Sequence, residues 1–296
     1  MVLSEFNSDK LVVIGVGLIG GSVASALRRA GRVKRVVGVG RGRSNIERAL
    51  ELGVIDEASA DIGAAVRGAD AVLLAVPVQQ NERVLGALAE SLHPGTLVTD
   101  AGSTKQDFVA AVRRLLPSHL PTTVPGHPIA GAEHTGVDAA SPNLFQGRNV
   151  VLAPLPENQP EAVDRVEAMW MVCGARTTRM SAEHHDRVFS AVSHLPHMLA
   201  YSLVHMIAGR ADARELFDFA ASGFRDFTRI AGSSPEMWRD IALANKEALV
   251  ADLEAYQKQV AELTARLKAA DAVELERIFE TARSARGAWL DRNQKR

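Results

Sequence analysis

The sequence predicts an α/β chain in which a doubly wound domain of parallel strands is followed by an all-helical domain. Three observations carry this. Short, fully apolar runs alternate with amphipathic stretches through the first half, a glycine-rich turn joins the first run to the first amphipathic stretch, and from Ser181 strand signal gives way to long helical periodicity. Apolar runs that do not alternate with polar residues mark strands covered on both faces, as in a parallel sheet. We place the domains at 1–180 and 181–296, in keeping with about 150 residues per domain.

The elements follow in order. Residues 11–14 are a β-branched run ending in glycine, and 18–30 read as a helix stopped by Gly31. Residues 36–39 are a second strand and 44–52 a second helix ended by Gly53. A buried-type strand at 71–76 is followed by a helix to about 92, broken by His93-Pro94-Gly95. Residues 96–99 read as a strand and 104–116 as a helix. An irregular segment rich in Gly, Pro and His runs from 124 to about 147; such segments are often functional. A strand at 149–153, a helix at 161–172 and a strand at 176–180 complete the first domain. In the second, 182–208, 238–267 and 274–289 read as long helices.

Composition narrows the function. With 34 Lys+Arg against 35 Asp+Glu, the net charge is -1, so no global field attracts nucleic acid or an anionic membrane. The single cysteine, Cys173, excludes an intrachain disulfide and multi-cysteine zinc sites, which fits a reducing cytoplasm. The polar N-terminus is no secretory signal, and no apolar run is long enough to span a bilayer. The expected partner is a small molecule.

Gly15-Val16-Gly17-Leu18-Ile19-Gly20 has the strand before it and the helix after it that a dinucleotide turn needs. The first glycine permits the turn, the second lets backbone approach a pyrophosphate, and the third lets helix and strand pack. A ligand-free glycine turn is the alternative reading. Val76, at the end of a strand, joins the cofactor set, because ligands lie at strand carboxyl ends. NAD binding would call for an acid after the second strand. Here that position reads Gly40-Arg41-Gly42-Arg43-Ser44, and Arg41, Arg43 and Ser44 suit the 2′-phosphate of NADP. The expected cofactor is NADP or NAD, with NADP favoured and dual use open.

Ser103, in Asp100-Ala101-Gly102-Ser103-Thr104-Lys105, is either a helix cap or a hydroxyl offered to substrate and nicotinamide. His127, between a strand end and a proline turn, suits a general base for an alcohol proton, although a loop histidine is more often a surface residue. His194 and His197 lie one helical turn apart beside Pro196, whose mid-helix position calls for a reason. No acid or cysteine completes a metal set there, so no metal is expected. Arg229 can fork onto a carboxylate, or pair with Asp226.

Together these segments resemble the prephenate dehydrogenase family, which includes arogenate and cyclohexadienyl dehydrogenases. The carriers are GVGLIGGS at 15–22, DAGSTK at 100–105, HPIAGAEHTG at 127–136, SHLPH at 193–197 and GFRDFTRIAGSSPEMW at 223–238. The resemblance implies a Rossmann-type domain, a helical domain that forms a homodimer, and oxidative decarboxylation of prephenate or arogenate with hydride transfer to a nicotinamide. It further implies that His127 takes the ring hydroxyl proton, Ser103 bonds that hydroxyl, and Arg229, His197, Glu133, Asp226 and Trp238 form the substrate side. The sequence ends at Arg296 after a polar tail, with no room for a fused regulatory or mutase domain, so control through one is not expected. Two alternatives stand beside this reading. A β-hydroxyacid dehydrogenase would carry a lysine on the first helix of the second domain, and 181–208 contains none. A non-catalytic cofactor-binding regulator would not need His127, Arg229 and Ser103 together.

Overall fold

Strand β1 (Ser8–Ile14) shows why its run has no polar alternation: Leu11 and Val13 enter one hydrophobic core while Val12 and Ile14 enter another on the opposite face. The computed structural model describes residues 5–131 and 134–294. With β2 (Val33–Val39), β3 (Glu57–Ser59), β4 (Ala71–Leu74), β5 (Leu97–Asp100) and β6 (Thr123–Val124), β1 forms a parallel sheet in the order β3-β2-β1-β4-β5-β6.

Helices cover both faces. α1 (Leu18–Arg29) and α2 (Arg43–Glu51) contribute Leu27 and Ala49 to one core. α3 (Ile62–Val66), α4 (Asn81–Leu88) and α5 (Gln106–Leu115) supply Val66, Leu85 and Phe108 to the other. α6 (Pro160–Val172) returns to the first face, where Trp170 meets Phe145 edge to face at 5.2 Å. The strand order reverses between β1 and β4, so their carboxyl ends flank the crevice where such sheets bind ligands.

The segment read as irregular from 124 holds one short strand that the sequence did not show, and it joins the two strands expected at 149–153 and 176–180 in a second sheet. β7 (Gly126–Pro128) pairs antiparallel with β8 (Asn149–Leu152), which pairs parallel with β9 (Arg176–Arg179). His127 therefore lies within a strand, opposite Val151, rather than in a loop. Three residues are too few to show a period, so its pairing partner defines β7.

Beyond β9 every described element is helical. The helix expected at 182–208 is α7 (Ala182–Phe189), a π-helical turn over Ser190–His194, and α8 (Leu195–Ala208). Pro196 lacks an N–H and its ring crowds the carbonyl four residues back, at Val192; the widened turn absorbs both. Next come α9 (Ala213–Asp218), α10 (Ser222–Thr228) and α11 (Pro235–Ala244). The helix expected at 238–267 breaks at Asn245 (φ -110, ψ 33) and resumes as α12 (Lys246–Lys268). A turn that includes Ala270 at φ 51 leads into α13 (Ala272–Gln294). The described residues divide into two compact units between Lys246 and Glu247, so α7 to α11 share a unit with the sheet. No helix among the described residues is long and apolar enough to cross a membrane.

Candidate active site

The glycine turn has three different surroundings. Gly15 sits at φ +97, and a Cβ there would lie 2.2 Å from the Ala75 carbonyl oxygen. At Gly20 a Cβ would lie 2.1 Å from the Gly15 carbonyl oxygen. Both positions are closed by the protein itself. Around a Cβ on Gly17 there is nothing within 4 Å. That open face, at the start of α1, fits backbone approach by a pyrophosphate. Leu18 and Ile19, half-buried, open the helix. Val76 is half-buried just beyond β4, where Ala75 N–H donates to Ile14 O at 2.7 Å.

Gly40, Arg41, Arg43 and Ser44 are exposed at the carboxyl end of β2. A Cβ on Gly40 would lie 2.8 Å from Ile46 Cδ1, the movable end of that side chain, so it is the sequence that puts no acid there. The Arg43 guanidinium pairs with Glu47. Asn45, which sequence reasoning missed, holds the turn. Its Nδ2 donates to Val16 O at 2.6 Å, and its Oδ1 accepts from Val137 N at 2.9 Å.

Asp100, the last residue of β5, is fully buried with Lys105. Lys105 Nζ donates to the Asp100 carboxylate and, at 2.8 Å, to Gly126 O. Asp100 also accepts from Gly102 N at 2.9 Å and Gly126 N at 3.0 Å. This fastens β7, and with it His127, to the ligand-binding edge of the sheet. Ser103 is half-buried in the intervening loop. It does not cap α5: Lys105 is the cap position, and the Asp186 carboxylate accepts from Lys105 N at 2.8 Å and Gln106 N at 2.9 Å.

His127 is half-buried, and its Nδ1 lies 2.7 Å from His185 Nε2. His185 Nδ1 lies 2.8 Å from Asp186 Oδ1. Burial, with the nearby His185 and Lys105, holds His127 well below the ordinary imidazole pKa, so it is neutral at physiological pH. Burial likewise lowers His185. For Asp186, burial pushes upward, but the hydrogen bonds from His185, Gln106 N and Lys105 N outweigh it and keep the carboxylate ionised.

The same contacts lead to the second histidine pair. Asn245 Nδ2 donates to Asp186 O at 2.7 Å and to His194 Nδ1 at 3.2 Å; burial takes His194 down to about 4. His194 meets Trp238 edge-on at 6.0 Å, and Trp238 stacks on His197 at 3.5 Å. Burial lowers His197 against its bond to Ser193 O, and the Arg229 charge adds to that lowering. Arg229 and Asp226 are exposed at the end of α10, and Asp226 approaches Arg225 at 3.9 Å. Glu133 lies outside the described residues. Among the described residues no group of three or more His, Cys, Asp or Glu is placed to hold a metal ion.

Residues 23–179 match the family model described as prephenate dehydrogenase, nucleotide-binding domain, and residues 181–281 match prephenate dehydrogenase, dimerization domain. The chain belongs to the prephenate dehydrogenase family. It is 38% identical to the prephenate dehydrogenase of Bacillus subtilis over 94% of this chain and 75% of that protein. It is 36% identical to the cyclohexadienyl dehydrogenase of Zymomonas mobilis over 93% and 94% of the two chains. The crystal structure of prephenate dehydrogenase from A. aeolicus in complex with hydroxyphenyl propionate and NAD+ is 35% identical, covers 95% of this chain and 97% of that one, and has a TM-score of 0.86.

For this prephenate dehydrogenase family member, sequence reasoning singled out His127, Ser103, His197, Arg229 and Trp238. It missed the polar framework behind them. His185 and Asp186 are buried in the capped helix α7, and nothing in the neighbouring sequence marks them as buried. A paired buried lysine, Lys105, has no sequence signature beyond its place after a strand.

Proposed function

We propose that the protein catalyses oxidative decarboxylation of prephenate, arogenate or both, giving 4-hydroxyphenylpyruvate or tyrosine. The observation that carries the reading is the placement of neutral His127 at the sheet edge that bears the glycine turn, through Asp100 and Gly126. When bound, the nicotinamide receives hydride from the hydroxyl-bearing ring carbon. The Gly15–Gly20 turn holds its pyrophosphate, and Leu18, Ile19 and Val76 line the approach. His127 accepts the hydroxyl proton as that carbon becomes a carbonyl. Loss of carbon dioxide returns the electrons of the breaking bond to the ring, and the oxygen regains its proton as the phenol forms.

Ser103 bonds the same hydroxyl. Arg229 pairs with a substrate carboxylate, and His197, Trp238, Asp226 and Glu133 complete the substrate side. NADP is the favoured cofactor: Arg41, Arg43 and Ser44 stand where an acid would otherwise bind the 2′-hydroxyl. The cofactor is held within 1–180, which also brings His127, Ser103 and Glu133 to the substrate, and 181–296 supplies the remaining substrate contacts and the dimer; the two matched family ranges support that boundary.

We place the enzyme in the cytoplasm as a homodimer. The match to a dimerization domain supports the dimer, as do exposed Val250, Val260 and Leu267 on α12 and Val273 and Phe279 on α13. Sedimentation measures it, and a monomer at working concentration counts against it. For the reaction, near-ultraviolet absorbance of the reduced nicotinamide is followed with prephenate or arogenate and either cofactor. No reduction with either substrate overturns the reading.

A further inference from the structure

His185 is fully buried directly behind His127. The relative protonation of the two rings follows from the group at the end of the line. An ionised carboxylate only accepts hydrogen bonds, so Asp186 Oδ1, 2.8 Å from His185 Nδ1, requires a proton on that nitrogen. A neutral imidazole carries one ring proton, which leaves His185 Nε2 bare. His127 Nδ1, 2.7 Å away, must then be the donor. Neutral His127 has its single proton on Nδ1, and its lone pair on Nε2. The charged and titratable groups facing the pair are Lys105, Asp100, Asp186 and His194, and the Phe189 ring packs on both imidazoles at 4.9 and 4.5 Å.

We propose that His185, backed by Asp186, is a positioning residue that fixes His127 as the Nδ1–H tautomer and so makes Nε2 the atom that accepts the substrate proton. This rests on the reaction proposed above only for which proton is moved. As His127 becomes imidazolium, Nδ1–H goes on donating to His185 and His185 to Asp186, so the ring keeps its orientation through the proton transfer. Tautomer control of this kind has large effects on rate in histidine-based enzymes, because the wrong tautomer presents a donor where an acceptor is needed.

The test compares wild type with His185→Leu and His185→Gln, all as the full chain. The Gln carbonyl can accept from His127 Nδ1–H, and Leu cannot. ¹⁵N spectra of the histidine rings, assigned with His127→Asn, read the tautomer without substrate. Wild type and H185Q should show Nδ1–H at His127, and H185L should show Nε2–H in substantial fraction. In turnover, H185L should lose about 100-fold or more in kcat with KM changed less than about threefold, and H185Q should recover at least about tenfold. Nε2–H at His127 in wild type overturns the proposal even if H185L does not fold. So does an unchanged kcat in H185L, or equal losses in H185L and H185Q. Failure of the wild type to turn over either substrate overturns the reaction instead, and the tautomer measurement stands apart from it.

Discussion

The ammonium of Lys105 and the carboxylate of Asp100 form an ion pair in which neither side chain is reached by solvent. Every strong partner is present: Gly126 O accepts from the lysine, and Gly102 and Gly126 N–H groups donate to the aspartate. Removing one member of a buried pair strands the other charge, at a cost of about 3–5 kcal/mol. Lys105→Met should therefore lower unfolding stability by that amount in urea titration. It should lower kcat as well, because Gly126 adjoins His127. A loss under about 1 kcal/mol would show that the pair is dispensable.

His127→Asn should reduce kcat by about 100- to 10,000-fold with little change in KM, because a proton acceptor acts mainly in the transition state. The base works only when neutral. Its pKa is depressed by burial, so activity should persist on the acid side of the ordinary value of 6.5 and fall only as pH passes below it. A pH profile of kcat/KM whose acid limb sits above 6.5 would contradict this environment.

Arg229, proposed to pair with a substrate carboxylate, is close enough for its charge to act on His197. Arg229→Ala removes a charge-assisted hydrogen bond of about 1.5–3 kcal/mol, so KM should rise about 10- to 100-fold. Steady-state kinetics with the preferred substrate measures this. A KM near wild type would place the carboxylate elsewhere.

Arg41 is exposed at the end of β2, beside Gly40, where the sequence has no acid. Arg41→Ala should weaken NADP by about tenfold, or about 1.4 kcal/mol, and leave NAD nearly unchanged. Fluorescence titration with both cofactors measures the ratio, and equal weakening would mean the arginine does not read the phosphate.

What was legible in the sequence follows physical range. β1 and α1 carry strong local signals, an apolar run and a glycine turn, and both lie where expected. The breaks at Ser190–His194 and Asn245 were not legible, because each answers to a distant partner or a local steric conflict. The mid-helix position of Pro196 marks a disturbance, but nothing in the sequence specifies a π turn. Asn245 leaves the helix to reach Asp186 and His194, and nothing in its neighbours announces that. The strand status of His127 depends on Val151, far along the chain. The pairing of His185 with His127 depends on the fold bringing α7 against β7.

One carboxylate, that of Asp186, both closes the start of α5 and orients the imidazole behind His127. Three donors converge on its two oxygens, which leaves the position almost no substitutional freedom. Asn would turn an N–H toward one of three donors, Glu would overreach by a methylene, and Ala would leave a helix end and a ring unsupported. Variation at 186 would thus be constrained simultaneously by folding and by turnover.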